Sequence, residues 1–428
     1  MNCKALLHTK ITLKSIAISA LVLIMFSCKK ETKISNSPKS KQVTAKDILG
    51  NPNYQAICYG GYRKTSRDVQ PTIAQLKEDL LILAAMNIKV VRTYNVHLAH
   101  ASNVLIAISE LKKENPNFEM YVMLGAWIDC KNAWTELEPN HEVESERNAK
   151  EIDEAVRLAN KYPEIVKIIA VGNEAMVKWA TSYFVQANVI LKWVNHLQEF
   201  KTNNKLDKDL WVTCSDDFAS WGGAEDVYKT KDLEALIQAV DYVSMHTYPY
   251  HNSHYNPNFW KIPADENSLS DLEKVNAAMN RSLEFAKMQY NTVKNYVKSI
   301  NPSKPIHIGE TGWASSSDGF YGDEGSKASD EYKQALYYNA MRAWTNKEGI
   351  SCFIFEAFDE PWKDSGNPLG SENHFGLITV DGKAKYALWD SVDNKIFENL
   401  KRNGMSITKT YNGNKEELMN NVLVPPNH

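Results

Sequence analysis

The chain has 428 residues, 43% hydrophobic and 24% charged, with a formal net charge of −3. That length and balance suit one large folded domain or two medium ones, and the lack of a basic excess argues against a nucleic-acid partner. The six cysteines fall in no CxxC spacing, so neither a zinc ribbon nor a disulfide framework is indicated.

In chain order, residues 1–27 read as a secretory signal. Lys4, Lys10 and Lys14 precede the apolar run Ile16 to Phe26, which is too short to span a bilayer. The run ends at Ser27-Cys28, a pairing that resembles a bacterial lipoprotein cleavage site. Cleavage there would leave Cys28 lipidated, so the membrane is expected as a tether point only, in the cell envelope, on the surface or the periplasmic face of the outer membrane. Loss of the three lysines takes the formal charge from −3 to −6. Residues 28–50, rich in Lys, Ser and Thr, read as a flexible tether. Residues 51–395 form the expected folded domain, and 396–428 a polar C-terminal extension.

Within the domain, short apolar runs alternate with longer amphipathic ones. Strands are expected at Gln55 to Tyr59, Lys89 to Thr93, Glu119 to Gly125, Val166 to Gly172, Leu210 to Cys214, Tyr242 to His246, Ile306 to Gly309 and Ser351 to Phe355. Helices are expected at Thr72 to Met86, Ala101 to Glu114, Glu146 to Lys161, Tyr183 to Phe200, Ser268 to Ile300 and Asp330 to Asn346. Eight βα units specify a single-domain (β/α)8 TIM barrel of the α/β class. In such a barrel Cys58 and Cys352 lie on neighbouring strands, which leaves a bridge conceivable, but buried free thiols are the expected state. The segments Ala126 to Ser145, Thr247 to Asn267 and Thr311 to Ser329 are long and aromatic, as expected of loops shaping a cleft.

Two glutamates stand where strands end: Glu174, closing VGNE on strand four, and Glu310, within IGETGWAS on strand seven. These strands face each other across a barrel top, where such folds build active sites. Paired carboxylates at that rim are how glycosidic bonds are usually cut, one protonating the leaving oxygen and the other attacking the anomeric carbon. Arg92, at the end of strand two, can add positive charge nearby. Tyr59, Trp127, Trp313, Phe358 and Trp362 sit at other strand ends, where flat rings can stack on sugars; each alone is more often packing than platform, and together they suggest a sugar-binding cleft.

Several stretches together carry a resemblance: AICYGGYR from Ala56, VRTYN from Val91, LGAWID from Leu124, VGNE from Val171, HTYPY from His246, GETGWAS from Gly309, FEAFDEPWK from Phe355 and HFGL from His374. The chain resembles glycoside hydrolase family 17, its bacterial and fungal members more than its plant ones. The resemblance implies a retaining β-1,3-glucanase of the glucan endo-1,3-β-glucosidase type, with Glu174 as acid/base and Glu310 as nucleophile. It also implies that Asn173 bonds the sugar 2-hydroxyl, that Tyr248 bonds the nucleophile, and that Glu360 and Lys363 support the centre. Glu356 and Asp359 lie in the same loop, and the sequence does not decide which of the three acids meets sugar. The expected partner is a β-glucan such as laminarin, the expected state a monomer, and the chemistry needs no metal or cofactor. A β-1,3-glucan transglycosylase and a non-catalytic surface glucan-binding lipoprotein are the alternatives, and intact Glu174 and Glu310 count against the second.

Overall fold

Each of the eight apolar runs becomes a strand. In the computed structural model, which describes residues 42–428, they are β1 (Gln55–Cys58), β2 (Ile88–Arg92), β3 (Tyr121–Ala126), β4 (Val166–Asn173), β5 (Trp211–Asp217), β6 (Val243–His246), β7 (Ile306–Gly312) and β8 (Cys352–Phe355). All pair in parallel with their sequence neighbours, and β8 returns to β1 through Ala56 opposite Phe353 and Ile57 opposite Ile354, which closes the barrel. Strands buried on both faces need no polar alternation, which is why most of these runs read as continuously apolar.

The outer ring comprises α1 (Ile73–Ala85), α2 (Ala99–Glu114), α3 (Arg147–Lys161), α4 (Ala187–Thr202), α5 (Lys231–Ala239), α6 (Asp271–Ile300) and α7 (Glu331–Glu348). Helix α1 shows the local logic. Thr72 and Gln75 form a capping box, and Leu76, Leu80 and Leu83 turn to the core. Helix α5 was not among the expected helices. Its cap, Thr230 accepting from the Leu233 amide, and its buried positions Leu233, Leu236 and Ile237 follow the same rules within nine residues.

Two boundaries differ from the sequence expectation. Residues 45–48 form a helical turn capped by Thr44 and Asp47, with Ala45 and Ile48 fully buried, and the Gly50 amide bonds the Ser351 hydroxyl at 2.9 Å. The stretch from Val43 to Gly50 is therefore part of the packed domain and not of a tether. Similarly, residues 396–428 are clamped to the barrel. Arg402 is buried and donates to Asp79 at 3.0 Å, beside a second ion pair from Arg63 at 2.8 Å. Leu418 is buried, the Leu423 amide bonds Asp330, and Ile262 exchanges backbone bonds with Pro426 and His428. A few anchors in a polar stretch suffice, and composition averages them away. Residues 1–41, with the signal segment, Cys28 and most of the tether, lie outside the described residues.

Cys58, Cys130, Cys214 and Cys352 are buried free thiols. Among the described residues no helix is long and apolar enough to cross a membrane.

Candidate active site

At the end of β4, Gly172 and, just past the strand, Glu174 take left-handed backbone at φ 81° and φ 46°. A non-glycine residue there costs about 1–2 kcal/mol, and the Glu174 amide is held by the Ser215 carbonyl at 3.0 Å. The turn lifts the Glu174 side chain over the barrel mouth. On the far side, Gly309 of β7 leaves room for the buried Ser215 and Ser244 hydroxyls, which a Cβ would overlap. The next residue, Glu310, points into the same space. A carboxylate oxygen of Glu174, one of Glu310 and a ring nitrogen of His246 all lie within 4.8 Å of one another.

The two carboxylates have different neighbours. Glu310 accepts from Arg92 Nη1 at 2.6 Å and from the Tyr248 hydroxyl at 2.8 Å. Burial opposes its charge, but His246, Arg92 and Tyr248 outweigh burial and hold the carboxyl below the usual glutamate range. Because burial pushes His246 itself down to about 4, its ring is neutral near pH 7, and Arg92 and Tyr248 are the partners that act there. Among the described residues Glu174 has no Lys or Arg in contact. Burial first, and the charge of Glu310 second, raise its pKa well above the usual range.

His246 links the two. Its Nε2 faces Arg92 Nη1 at 3.3 Å and the Ser215 hydroxyl at 2.8 Å. A guanidinium only donates, so Nε2 accepts and Nδ1 carries the proton, directed at Glu174 Oε1 3.0 Å away. The same argument orients Asn173. Its facing atom accepts from Arg92 Nη2 at 2.6 Å and is therefore the amide oxygen, which leaves the NH2 free to donate into the cleft. By count, Glu174, His246 and Glu310 could ligate a divalent ion. Both Glu310 oxygens are already hydrogen-bonded, however, and a fixed guanidinium beside them disfavours a cation.

The pair opens into a cleft of about 1900 Å³ lined from most of the barrel loops, including Tyr62, Trp127, Trp134, Trp179, Asp217 and Trp362. Residues 56–376 match the family described as BtgE/BtgC glycoside hydrolase domain. The chain belongs to this family. The match agrees with the glycoside hydrolase family 17 resemblance of the sequence. Family relatives include a probable glucan endo-1,3-beta-glucosidase btgC of Aspergillus fumigatus, 25% identical over 85% of this chain and 46% of its own length. A glucan 1,3-beta-glucosidase of Arthroderma benhamiae is 42% identical over 21% of this chain and 30% of its own length. These matches span less than half the length of either relative. The crystal structure of an endo-laminarinase from Formosa Hel1_33_131 superposes with a TM-score of 0.90 at 64% identity, covering 90% of this chain and 98% of that one. A β-1,3-glucanosyltransferase of glycoside hydrolase family 17 from Rhizomucor miehei, at 19% identity and a TM-score of 0.52 over 78% of this chain and 96% of that one, shares the fold.

Of the residues singled out in the sequence, Glu174, Glu310, Asn173, Arg92 and Tyr248 converge on one centre. Trp127 lines the cleft. So does Trp362, although the Arg67 guanidinium covers its ring at 4.3 Å from the centroid. Glu360 accepts from the Tyr62 amide and the Trp362 indole, and Lys363 lies 3.8 Å from Glu356 and 3.9 Å from Glu360. Among the three acids of that loop only Glu360 borders the cleft. Asp359 is taken by Lys385 and the Gly376 amide.

Three rings do not serve as expected. Trp313 is buried, donates to the Ala328 carbonyl and packs against Tyr250, Trp260 and Tyr337, because the chain leaving β7 turns it toward the helix layer. Phe358 is buried beneath the Arg402 guanidinium. Tyr59 borders the cleft floor, but its hydroxyl is tied to Asp79 and no face of its ring is open. His246, by contrast, had no assigned role in the sequence, although it stands two residues before Tyr248, the spacing that puts strand residues on one face.

Proposed function

We propose that this family member is a retaining endo-β-1,3-glucanase in which Glu174 is the acid/base and Glu310 the nucleophile. One observation carries this reading: two carboxyl groups converge on one centre with ligating oxygens within 4.8 Å of each other, the close approach of acid and nucleophile that double displacement requires. Their unequal surroundings assign the roles. Glu310, charged through Arg92 and Tyr248, attacks the anomeric carbon while Glu174, kept protonated by burial and by its neighbour, delivers its proton to the leaving oxygen. Glu174, now a carboxylate, then draws a proton from the water that releases the sugar from Glu310. The free NH2 of Asn173 donates to the sugar 2-hydroxyl. A cleft of about 1900 Å³ around the pair has room for several sugar units, which suits internal cleavage. Laminarin, curdlan, lichenan and cellulose offered to the purified protein test the reading, with products sorted by size and by the anomer released first. Release of β-anomers from β-1,3-linked glucans alone is expected. Initial α-anomers would overturn the mechanism, and oligosaccharides longer than those supplied would indicate transfer to sugar in place of water.

We also propose that the protein is held in the cell envelope by lipid on Cys28, a reading that the apolar run Ile16 to Phe26 ahead of Ser27-Cys28 supports. Mass spectrometry of the membrane fraction should find an amino-terminal peptide beginning with acylated Cys28. An unmodified Cys28 would refute the anchor.

A further inference from the structure

We propose that the β3 end of the cleft carries an outer sugar platform formed by the Trp134 ring, which holds a glucose unit of the same chain whose scissile bond lies between Glu174 and Glu310. The proposal rests on the β-1,3-glucan reading above and adds to it a sugar-binding residue that this reading does not assign.

The backbone supplies the first argument. Trp134 sits at φ 62°, a conformation that suits glycine and that bulky residues avoid. Despite this, the residue is 58% exposed. A large apolar ring kept in solvent at a conformation it disfavours points to selection for contact with something else.

The second argument is how the ring is held. Trp134 stacks on Tyr183 with centroids 5.0 Å apart and planes at 23°, and Trp127 lies 6.3 Å from Trp134 and 5.3 Å from Tyr183. The loop beneath is pinned from two sides. The Cys130 amide bonds the Tyr183 carbonyl at 3.0 Å, and Arg147 donates to the Ala133 carbonyl at 3.1 Å and to Asp129 at 3.0 Å. The platform is therefore fixed before any ligand arrives, which limits the entropy lost on binding.

The occupant follows from chemistry and continuity. Trp127, Trp134 and Arg147 line the same cleft as Glu174 and Glu310. A β-linked glucose carries its hydroxyls equatorially, so both faces of the ring present C–H groups to an aromatic surface, while Arg147 and Lys150 at the rim can donate to the hydroxyls.

Trp134→Gly tests the idea, because it removes the ring and relieves the backbone together. Rates are measured on laminari-oligosaccharides of increasing length and on laminarin. The ratio of kcat/KM on laminarin to that on the shortest cleaved oligosaccharide should fall about three- to tenfold, while Tm holds or rises. An unchanged ratio would overturn the platform. A fall in Tm with an unchanged ratio would do the same and assign Trp134 to the fold. Trp134→Phe, which keeps a ring, should recover part of the ratio, and a variant no better than glycine would count against stacking. A parent enzyme that cleaves no β-1,3-glucan would instead defeat the reading on which this rests.

Discussion

Glu310→Gln is expected to lower kcat on laminarin by about four orders of magnitude or more while leaving the barrel folded, since loss of a covalent nucleophile is not made good by the rest of a site. The amide can still accept from Arg92 through its oxygen, and Tyr248 can turn to accept from the new NH2. What disappears is the counter-charge of Arg92, a guanidinium only 1% exposed whose one ion pair among the described residues is with Glu310. An uncompensated buried charge costs up to about 3–5 kcal/mol. Bonds from Arg92 to Gly309 and Asn173 persist and soften that loss, so Tm should fall by a few degrees without loss of cooperativity. A second consequence separates this assignment from a generic active-site defect. After burial, the charge of Glu310 is the largest cause that raises Glu174, ahead of Glu372; without it, the pKa of Glu174 should move back toward the usual glutamate range, as carboxyl-resolved infrared or NMR titration would read. Glu310→Ala supplied with azide and an activated aryl glycoside should also give the α-glycosyl azide, the small anion attacking from the face the carboxylate vacated. Retention of most laminarin activity in the glutamine variant, or an unmoved Glu174, would remove Glu310 from the nucleophile's place.

Much of this site could be read before any coordinates because the barrel imposes a strong rule: apolar runs that stop at glycine deliver the next residues to one rim. Gly172-Asn173-Glu174 and Gly309-Glu310 obey it, and the structure brings both to one centre within 4.8 Å. The rule speaks of position along a strand and not of which way a ring turns once the strand has ended. Tyr59, Trp313 and Phe358 all stood at strand ends, yet the loops carry them into the core, toward Asp79, the α7 layer and Arg402 respectively. Helix α5 escaped notice because nine residues beginning Lys-Asp-Leu-Glu look charged, and three apolar positions suffice to seat them. The anchors at Ala45, Ile48 and Arg402 were hidden in the same way, as single buried residues within polar surroundings. His246 was legible in principle from its spacing to Tyr248, but its part depends on a bond to Glu174, which is 72 residues away and set by the tertiary fold.

Glu174→Ala should behave differently from any change at Glu310, and the difference depends on the leaving group. On laminarin, whose leaving sugar needs a proton, kcat/KM should fall about 10²–10⁴-fold. On a dinitrophenyl β-glucoside-type substrate, whose leaving group departs as a stable anion, bond cleavage should survive and the glycosyl-enzyme should accumulate, giving a burst followed by slow turnover. Azide should then restore turnover and yield the β-glycosyl azide, since it attacks the intermediate from the side water would use. The pH profile gives an independent reading with a definite sign. Glu310 must be ionised, and its partners hold it low, so the acid limb of kcat/KM should lie below the usual glutamate range and activity should fall as pH drops through it. Glu174 must be protonated, and burial with the nearby charge holds it high, so the alkaline limb should lie well above that range and activity should fall as pH rises through it. In Glu174→Ala the alkaline limb should vanish on the activated substrate while the acid limb stays. A surviving alkaline limb, or the α-azide from this variant, would exchange the two roles. Nothing in the side chains themselves forbids that exchange, because both are glutamates. What decides is that Arg92 and Tyr248 hydrogen-bond Glu310, while the side-chain hydrogen bond Glu174 makes among the described residues comes from the neutral N–H of His246.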